Sequence, residues 1–163
     1  MEYHVVLFGE SQSGKTTLLE KCSSRKRSSV IYGEENCVTL ESNGEIISLW
    51  VREFPSFPDT LFNPNAAIIF LNSNQRNGGV NIRSAMSFLS RIKVNYGNIP
   101  VIVCVNKNDE LYLDENWVLV QPGVKIGWIS CKYGKEVDNV FYQLVSLLDT
   151  KYIGCNLLRK EKL

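Results

Sequence analysis

Apolar and polar positions along the chain switch between strand-like and helix-like periods, and the switching predicts an α/β protein. Val5-Val6-Leu7-Phe8 reads as the centre of a buried strand over Tyr3 to Gly9, followed by a helix from about Lys15 to Ser23. Ser24 to Asn36 is polar, basic then acidic, and reads as a long loop. Cys37 to Ser42 and Glu45 to Glu53 flank Asn43-Gly44, a strong hairpin signal. In the second arm Ile47, Leu49 and Val51 share one face, and Ser48, Trp50 and Arg52 the other. Phe54 to Pro64 holds three prolines and is predicted to contain no regular element.

Beyond it, Ala66-Ala67-Ile68-Ile69-Phe70-Leu71 is apolar on both faces, as an interior parallel strand requires. A helix is predicted from about Asn81 to Tyr96, carrying Ile82, Ala85, Met86, Leu89 and Ile92 at helical spacing. Val101 to Val105 reads as another buried strand. Asp114 to Val120 suits one helical turn ended by Pro122-Gly123, and Val124 to Ile129 reads as the last strand. Val137 to Lys151 closes the chain as a helix, with Val140, Phe141, Leu144, Val145 and Leu148 on one stripe. The expectation is one domain over residues 1–163. Its sheet would be six-stranded and mostly parallel, with one antiparallel hairpin strand and helices on both faces.

Bulk properties narrow the functional classes. With 163 residues, 44% hydrophobic and 21% charged, the chain is long enough for a sizeable core. A formal net charge of +1 supplies no field to recruit nucleic acid or an anionic membrane. The basic clusters Arg25-Lys26-Arg27 and Arg159-Lys160-Glu161-Lys162 are short and read as solvated surface. Five cysteines (Cys22, Cys37, Cys104, Cys131, Cys155) form no CxxC pair, which fits a reducing, cytoplasmic setting. His4 is the only histidine and is assigned no role. No signal sequence, membrane-spanning run or prenylation box is read from the chain, and a monomer is expected.

The chemistry concentrates in Gly9-Glu10-Ser11-Gln12-Ser13-Gly14-Lys15-Thr16, which fits G-x-x-x-x-G-K-[ST] between a strand and a helix. In such a loop the glycines let successive N–H groups curl around an anion, and the positive end of the next helix faces it. Gly9, Ser11, Gln12, Ser13, Gly14, Lys15, Thr16 and Thr17 are the candidate phosphate-binding residues. Lys15 would reach the β- and γ-phosphates, and the Thr16 hydroxyl would ligate Mg²⁺.

The base is addressed by a second motif, Asn106-Lys107-Asn108-Asp109, after the strand Val101 to Val105. Asp109 can accept two hydrogen bonds from guanine N1–H and N2–H₂, a donor pair that adenine lacks on that edge. A third piece, Ser130-Cys131-Lys132, follows the last predicted strand.

With these three motifs the chain resembles the Ras superfamily of small GTPases, closest to the Rab branch, over essentially its full length. The resemblance implies a P-loop NTPase G-domain, GTP or GDP with Mg²⁺ as ligands, and protein effectors or regulators of unknown identity. It implies guanine contacts from Asn106, Lys107, Asp109, Ser130, Cys131 and Lys132. Cys131 would offer its N–H to guanine O6, while the stems of Lys107 and Lys132 would pack across the base.

Departures from the family fall on hydrolysis and switching. The family's W-D-T-A-G-Q aligns with Arg52-Glu53-Phe54-Pro55-Ser56-Phe57. Glu53 then stands where an Asp holds the magnesium-bound water, Ser56 replaces a glycine, and Phe57 replaces the water-orienting Gln. Asp59-Thr60 lies six residues too late to substitute. The threonine that caps Mg²⁺ has no clear match; Ser28 or Ser29 is an alternative to it, as is an ordinary loop role for both. A phenyl ring cannot orient water, so hydrolysis is expected to be slow or absent. The rivals are a GTPase switch completed by a partner in trans, and a scaffold that keeps its nucleotide or uses only its surface. A P-loop kinase or ATPase would leave the second and third motifs unexplained.

Overall fold

A computed structural model of the chain describes residues 1–9, 15–29, 33–53, 63–74, 79–80, 82–106, 124–129, 137–152 and 154–158. In chain order these form β1 (Glu2–Gly9), α1 (Lys15–Cys22), β2 (Arg25–Ser29), β3 (Gly33–Ser42), β4 (Glu45–Glu53), β5 (Ala66–Asn74) and β6 (Gly79–Val80). Then come α2 (Ile82–Tyr96), β7 (Val101–Asn106), β8 (Val124–Ile129), α3 (Val137–Leu148) and β9 (Asn156–Leu158).

The sheet runs in the order β2-β3-β4-β1-β5-β7-β8, with β6 on β5 and β9 on β3. Pairings β4–β1, β1–β5, β5–β7 and β7–β8 are parallel. Pairings β2–β3, β3–β4, β3–β9 and β5–β6 are antiparallel. This corrects the fold expected from the sequence. A six-stranded, mostly parallel sheet of a P-loop NTPase G-domain with one antiparallel strand is not what forms. The described residues build a mixed, nine-stranded sheet with three short helices.

Residues 24–36 account for much of that difference, because the predicted loop is largely strand. Ser24 is buried and ties the chain leaving α1 to β3: its N–H donates to the Cys37 carbonyl at 2.8 Å, and its hydroxyl lies 2.8 Å from Thr39 Oγ1. The basic segment then pairs with the acidic one in register, Arg27 opposite Glu35 and Ser28 opposite Glu34. Cross-strand charge pairing holds an edge strand that has no hydrophobic alternation to announce it. Strands β6 and β9 are too short to show a period. Leu157 of β9 is nevertheless buried, and its N–H donates to Tyr142 Oη at 3.1 Å.

Elsewhere the apolar pattern and the elements agree. The β3–β4 hairpin turns at Asn43 and Gly44, with φ of 51° and 81°, and Ser42 pairs with Glu45. Strand β5 lies between β1 and β7, parallel to both. Alternate residues of β1 enter two cores. Val5 and Leu7 pack with Leu18, Leu19 and Cys22 of α1 and Val140, Phe141, Leu144 and Val145 of α3. Val6 and Phe8 pack with Ala85, Leu89 and Ile92 of α2, while Met86 stays exposed. No described helix is long and apolar enough to cross a membrane. The turn predicted over Asp114 to Val120, and residues 54–62 of the proline-rich segment, lie outside the described residues.

Candidate functional site

Parallel pairing sends the carboxyl ends of β1, β5, β7 and β8 to one edge of the sheet. Gly9 pairs with Phe70, Phe70 with Cys104, and Cys104 with Gly127, so β5 runs four residues past the end of β1, and β7 and β8 two residues. In open sheets with helices on both faces, ligands bind at this edge. A β-carbon at Gly9 would run into the Phe70 carbonyl oxygen, so only glycine fits the end of β1.

Lys15 opens α1 and is only 9% exposed, held by the helix whose Leu18, Leu19 and Cys22 sink into the core. Its Nζ donates to the Gly9 carbonyl at 2.9 Å, spanning residues 10–14 and fixing the distance between strand end and helix start. An ammonium group buried here carries its charge at the opening of the helix, where the backbone N–H groups add positive potential. Thr16 and Thr17 follow on the first turn and are exposed. No acidic residue occupies that turn. Ser11, Gln12, Ser13 and Gly14 lie outside the described residues.

The second and third motifs begin at neighbouring strand ends. Asn106, the last residue of β7, pairs with Ile129, the last of β8. Two strand spacings, about 10 Å, separate β7 from β1. Lys107 and Asp109 follow directly on β7, and Ser130, Cys131 and Lys132 on β8; all five lie outside the described residues, as do Ser56 and Phe57.

Glu53 ends β4 with its side chain exposed, and pairs with Leu7 on β1, two residues before Gly9. Ser29 ends β2, paired with Gly33. Three strand spacings, about 14 Å, separate its backbone from β1. The structure therefore brings Gly9, Lys15, Thr16 and Glu53 to one end of β1 and holds Ser29 apart from them. For magnesium, the donors beside β1 are a hydroxyl and a carboxylate, both hard oxygens of the kind that ion takes. Among the described residues no group of three His, Cys, Asp or Glu is gathered as a metal site.

A second constellation went unread in the sequence. Glu35 of β3 is 3% exposed and accepts a short hydrogen bond from Arg52 Nη2 of β4, itself equally buried. Arg27 Nη2 lies 3.5 Å and His4 Nδ1 3.8 Å from the other carboxylate oxygen. Burial alone would raise the Glu35 carboxyl, but hydrogen bonds and charge from Arg52, then Arg27, hold it below the usual carboxylate range. The Arg27 guanidinium stands 3.6 Å above the Trp50 ring, with that of Arg25 5.1 Å away. Trp50 Nε1 donates to Glu2 Oε1 at 3.3 Å. Alternation along β4 places Trp50 and Arg52 together; the missing signal was that 25–29 and 33–36 are strands.

A third cluster ties the end of α3 to the hairpin. Tyr152 Oη donates to Glu45 Oε1 at 3.3 Å, and Lys151 bridges Asp149 and Glu45. Burial, then a hydrogen bond with Tyr152, pushes the Tyr3 phenol up to about 12. Cys22, Cys37, Cys104 and Cys155 are free thiols. Neither protein-family models nor curated proteins give a match to this chain.

Proposed function

We propose that this protein binds a guanine nucleotide, GDP or GTP, together with Mg²⁺, and hydrolyses GTP slowly or not at all. The carrying observation is the buried Lys15 amine, bonded to the Gly9 carbonyl from the other end of the sequence G-E-S-Q-S-G-K. A positive charge kept at a strand end, beside a helix start that lacks acids, favours a polyphosphate. Further support comes from the paired ends of β7 and β8, from which Asn106-Lys107-Asn108-Asp109 and Ser130-Cys131-Lys132 continue. Their match to the guanine-reading motifs of the Ras superfamily favours GDP and GTP over adenine nucleotides.

Each group has a stated task in this reading. Residues 9–17 hold the phosphates, with Lys15 supplying charge. Thr16, and Glu53 through a water, would hold Mg²⁺, which would neutralise phosphate charge. Asp109 reads the purine edge, and Cys131 N–H the opposite carbonyl. Phe57, at the position that orients water in the similar family, argues for slow hydrolysis. A regulatory or trafficking role in the cytoplasm, through protein partners, follows from the same resemblance.

One observation favours a second reading, a nucleotide-holding scaffold. Residues 25–29, where the similar family senses the γ-phosphate, are committed to an edge strand pinned by Ser24 and by the Glu35 cluster. Limited proteolysis of the GDP and GTP-analogue forms separates the two readings. Different fragments support a switch, and identical fragments a scaffold. Single-turnover hydrolysis of GTP, with and without cell lysate, tests whether a partner completes the site.

A further inference from the structure

The run Arg25-Lys26-Arg27-Ser28 is not used by the nucleotide site, and its placement gives it a use. It lies on β2, the outermost strand of the sheet among the described residues, so none of those residues pairs with its other backbone edge. Ser28 is exposed, and the three residues before it are all exposed cations. Side chains alternate: Arg25 and Arg27 face Trp50, while Ser28 shares the opposite side with Lys26. Lys26 meets Glu34 at 3.4 Å, but both are more than half exposed, so this pair holds the strand weakly. An extended, edge-borne hydroxyl preceded by three cations is what an enzyme with a carboxylate-lined peptide groove recognises.

We infer that Ser28 is a phosphorylation site for a serine/threonine kinase that selects basic sequences, and that its phosphate loosens the β2–β3 edge. In the transfer, Ser28 Oγ attacks the γ-phosphorus of ATP. The Oγ–P bond forms as the bond to the bridging oxygen breaks; ADP departs with that electron pair, and the hydroxyl proton passes to a carboxylate of the kinase. The product carries close to two negative charges at pH 7. Those charges stand opposite Glu34, the register partner of Ser28. Like charges facing each other across a ladder destabilise it, and the phosphate also competes with Glu34 for Lys26. Since Arg27 on the same strand caps both Glu35 and Trp50, loosening β2 loosens the cover on that cluster. None of this depends on which nucleotide the chain binds.

The test incubates the intact folded chain with Mg·ATP and the catalytic subunit of cyclic-AMP-dependent protein kinase. Intact-mass and fragment spectra are then recorded. One phosphoryl group on Ser28, absent in Ser28→Ala and reduced in Arg25→Ala, is expected. No incorporation, phosphate on any other residue, or undiminished incorporation in Ser28→Ala overturns the assignment. Amide exchange over residues 25–29 should quicken about fivefold in the phosphorylated chain, the loss of one cross-strand pair. Unchanged exchange overturns the loosening of the strand.

Discussion

Lys15 Nζ lies 2.9 Å from the carbonyl oxygen of Gly9, so the first residue of α1 grips the last residue of β1. Between them run the five residues of the phosphate-loop motif that would wrap an anion. The bond gives the buried amine a backbone partner at the end of β1. Lys15→Met keeps the aliphatic stem and removes the charge. One charge-assisted contact is worth about 1.5–3 kcal/mol, so GDP affinity should fall roughly 10- to 150-fold. Calorimetric titration, with circular dichroism to show an intact fold, checks this.

Gly9→Ala forces a methyl group against the Phe70 carbonyl, part of the backbone that pairs β5 with β1. Backbone cannot step aside as a side chain can. Overpacking of this kind costs about 1–3 kcal/mol. Urea melts should show a lower midpoint even without nucleotide, which separates strain at the strand end from loss of ligand.

Glu35 predicts an acid-dependent weakness. Its carboxyl is held below the ordinary 4.5 by Arg52 and Arg27 against the opposing effect of burial. A carboxyl with a depressed folded value binds fewer protons folded than unfolded, so its stabilisation is fully present above about 4.5. That stabilisation is lost as pH falls from there through the lower folded value. Glu35→Gln leaves buried Arg52, and exposed Arg27 beside it, without their anion, which should cost about 3–5 kcal/mol at pH 7. Urea melts of both proteins from pH 7 down to pH 3 should converge at the acid end. A gap that stays constant with pH would show that charge at Glu35 is not what holds β2, β3 and β4 together.

Tyr142→Phe removes the oxygen that accepts the Leu157 N–H and joins α3 to β9. A single neutral hydrogen bond contributes about 1 kcal/mol. Amide exchange at Leu157 should quicken about fivefold, with β3 beyond Glu41 unaffected.

How far the sequence foretold this arrangement follows from which forces leave a periodic trace. Strands buried on both faces, such as Ala66 to Leu71, leave an unbroken apolar run, and helices such as α2 leave a stripe; the stripe gives α2 to within a residue, while β5 runs three polar residues past the apolar run. The Asn43-Gly44 turn was legible because only a few residue types accept its backbone angles. Strand β2 left no such trace. Its stability rests on Arg27 with Glu35, on two guanidinium groups over Trp50, and on Ser24 bonded to β3, contacts between residues far apart in sequence. Missing it, and the three-residue β9, made the sheet look more parallel than it is. At the site, the glycine-lysine spacing points to a phosphate loop but gives no sign that Lys15 bonds the Gly9 carbonyl. Nothing in spacing foretold that Ser29 would sit three strands from β1.

Whether this sheet edge holds a guanine nucleotide is decided by calorimetric titration of the intact chain with Mg·GDP and then Mg·ADP. One GDP per chain at micromolar affinity or tighter is expected, with ADP at least about tenfold weaker and that preference lost in Asp109→Ala. Absence of GDP binding, or equal affinity for the two nucleotides, would contradict the guanine-nucleotide reading.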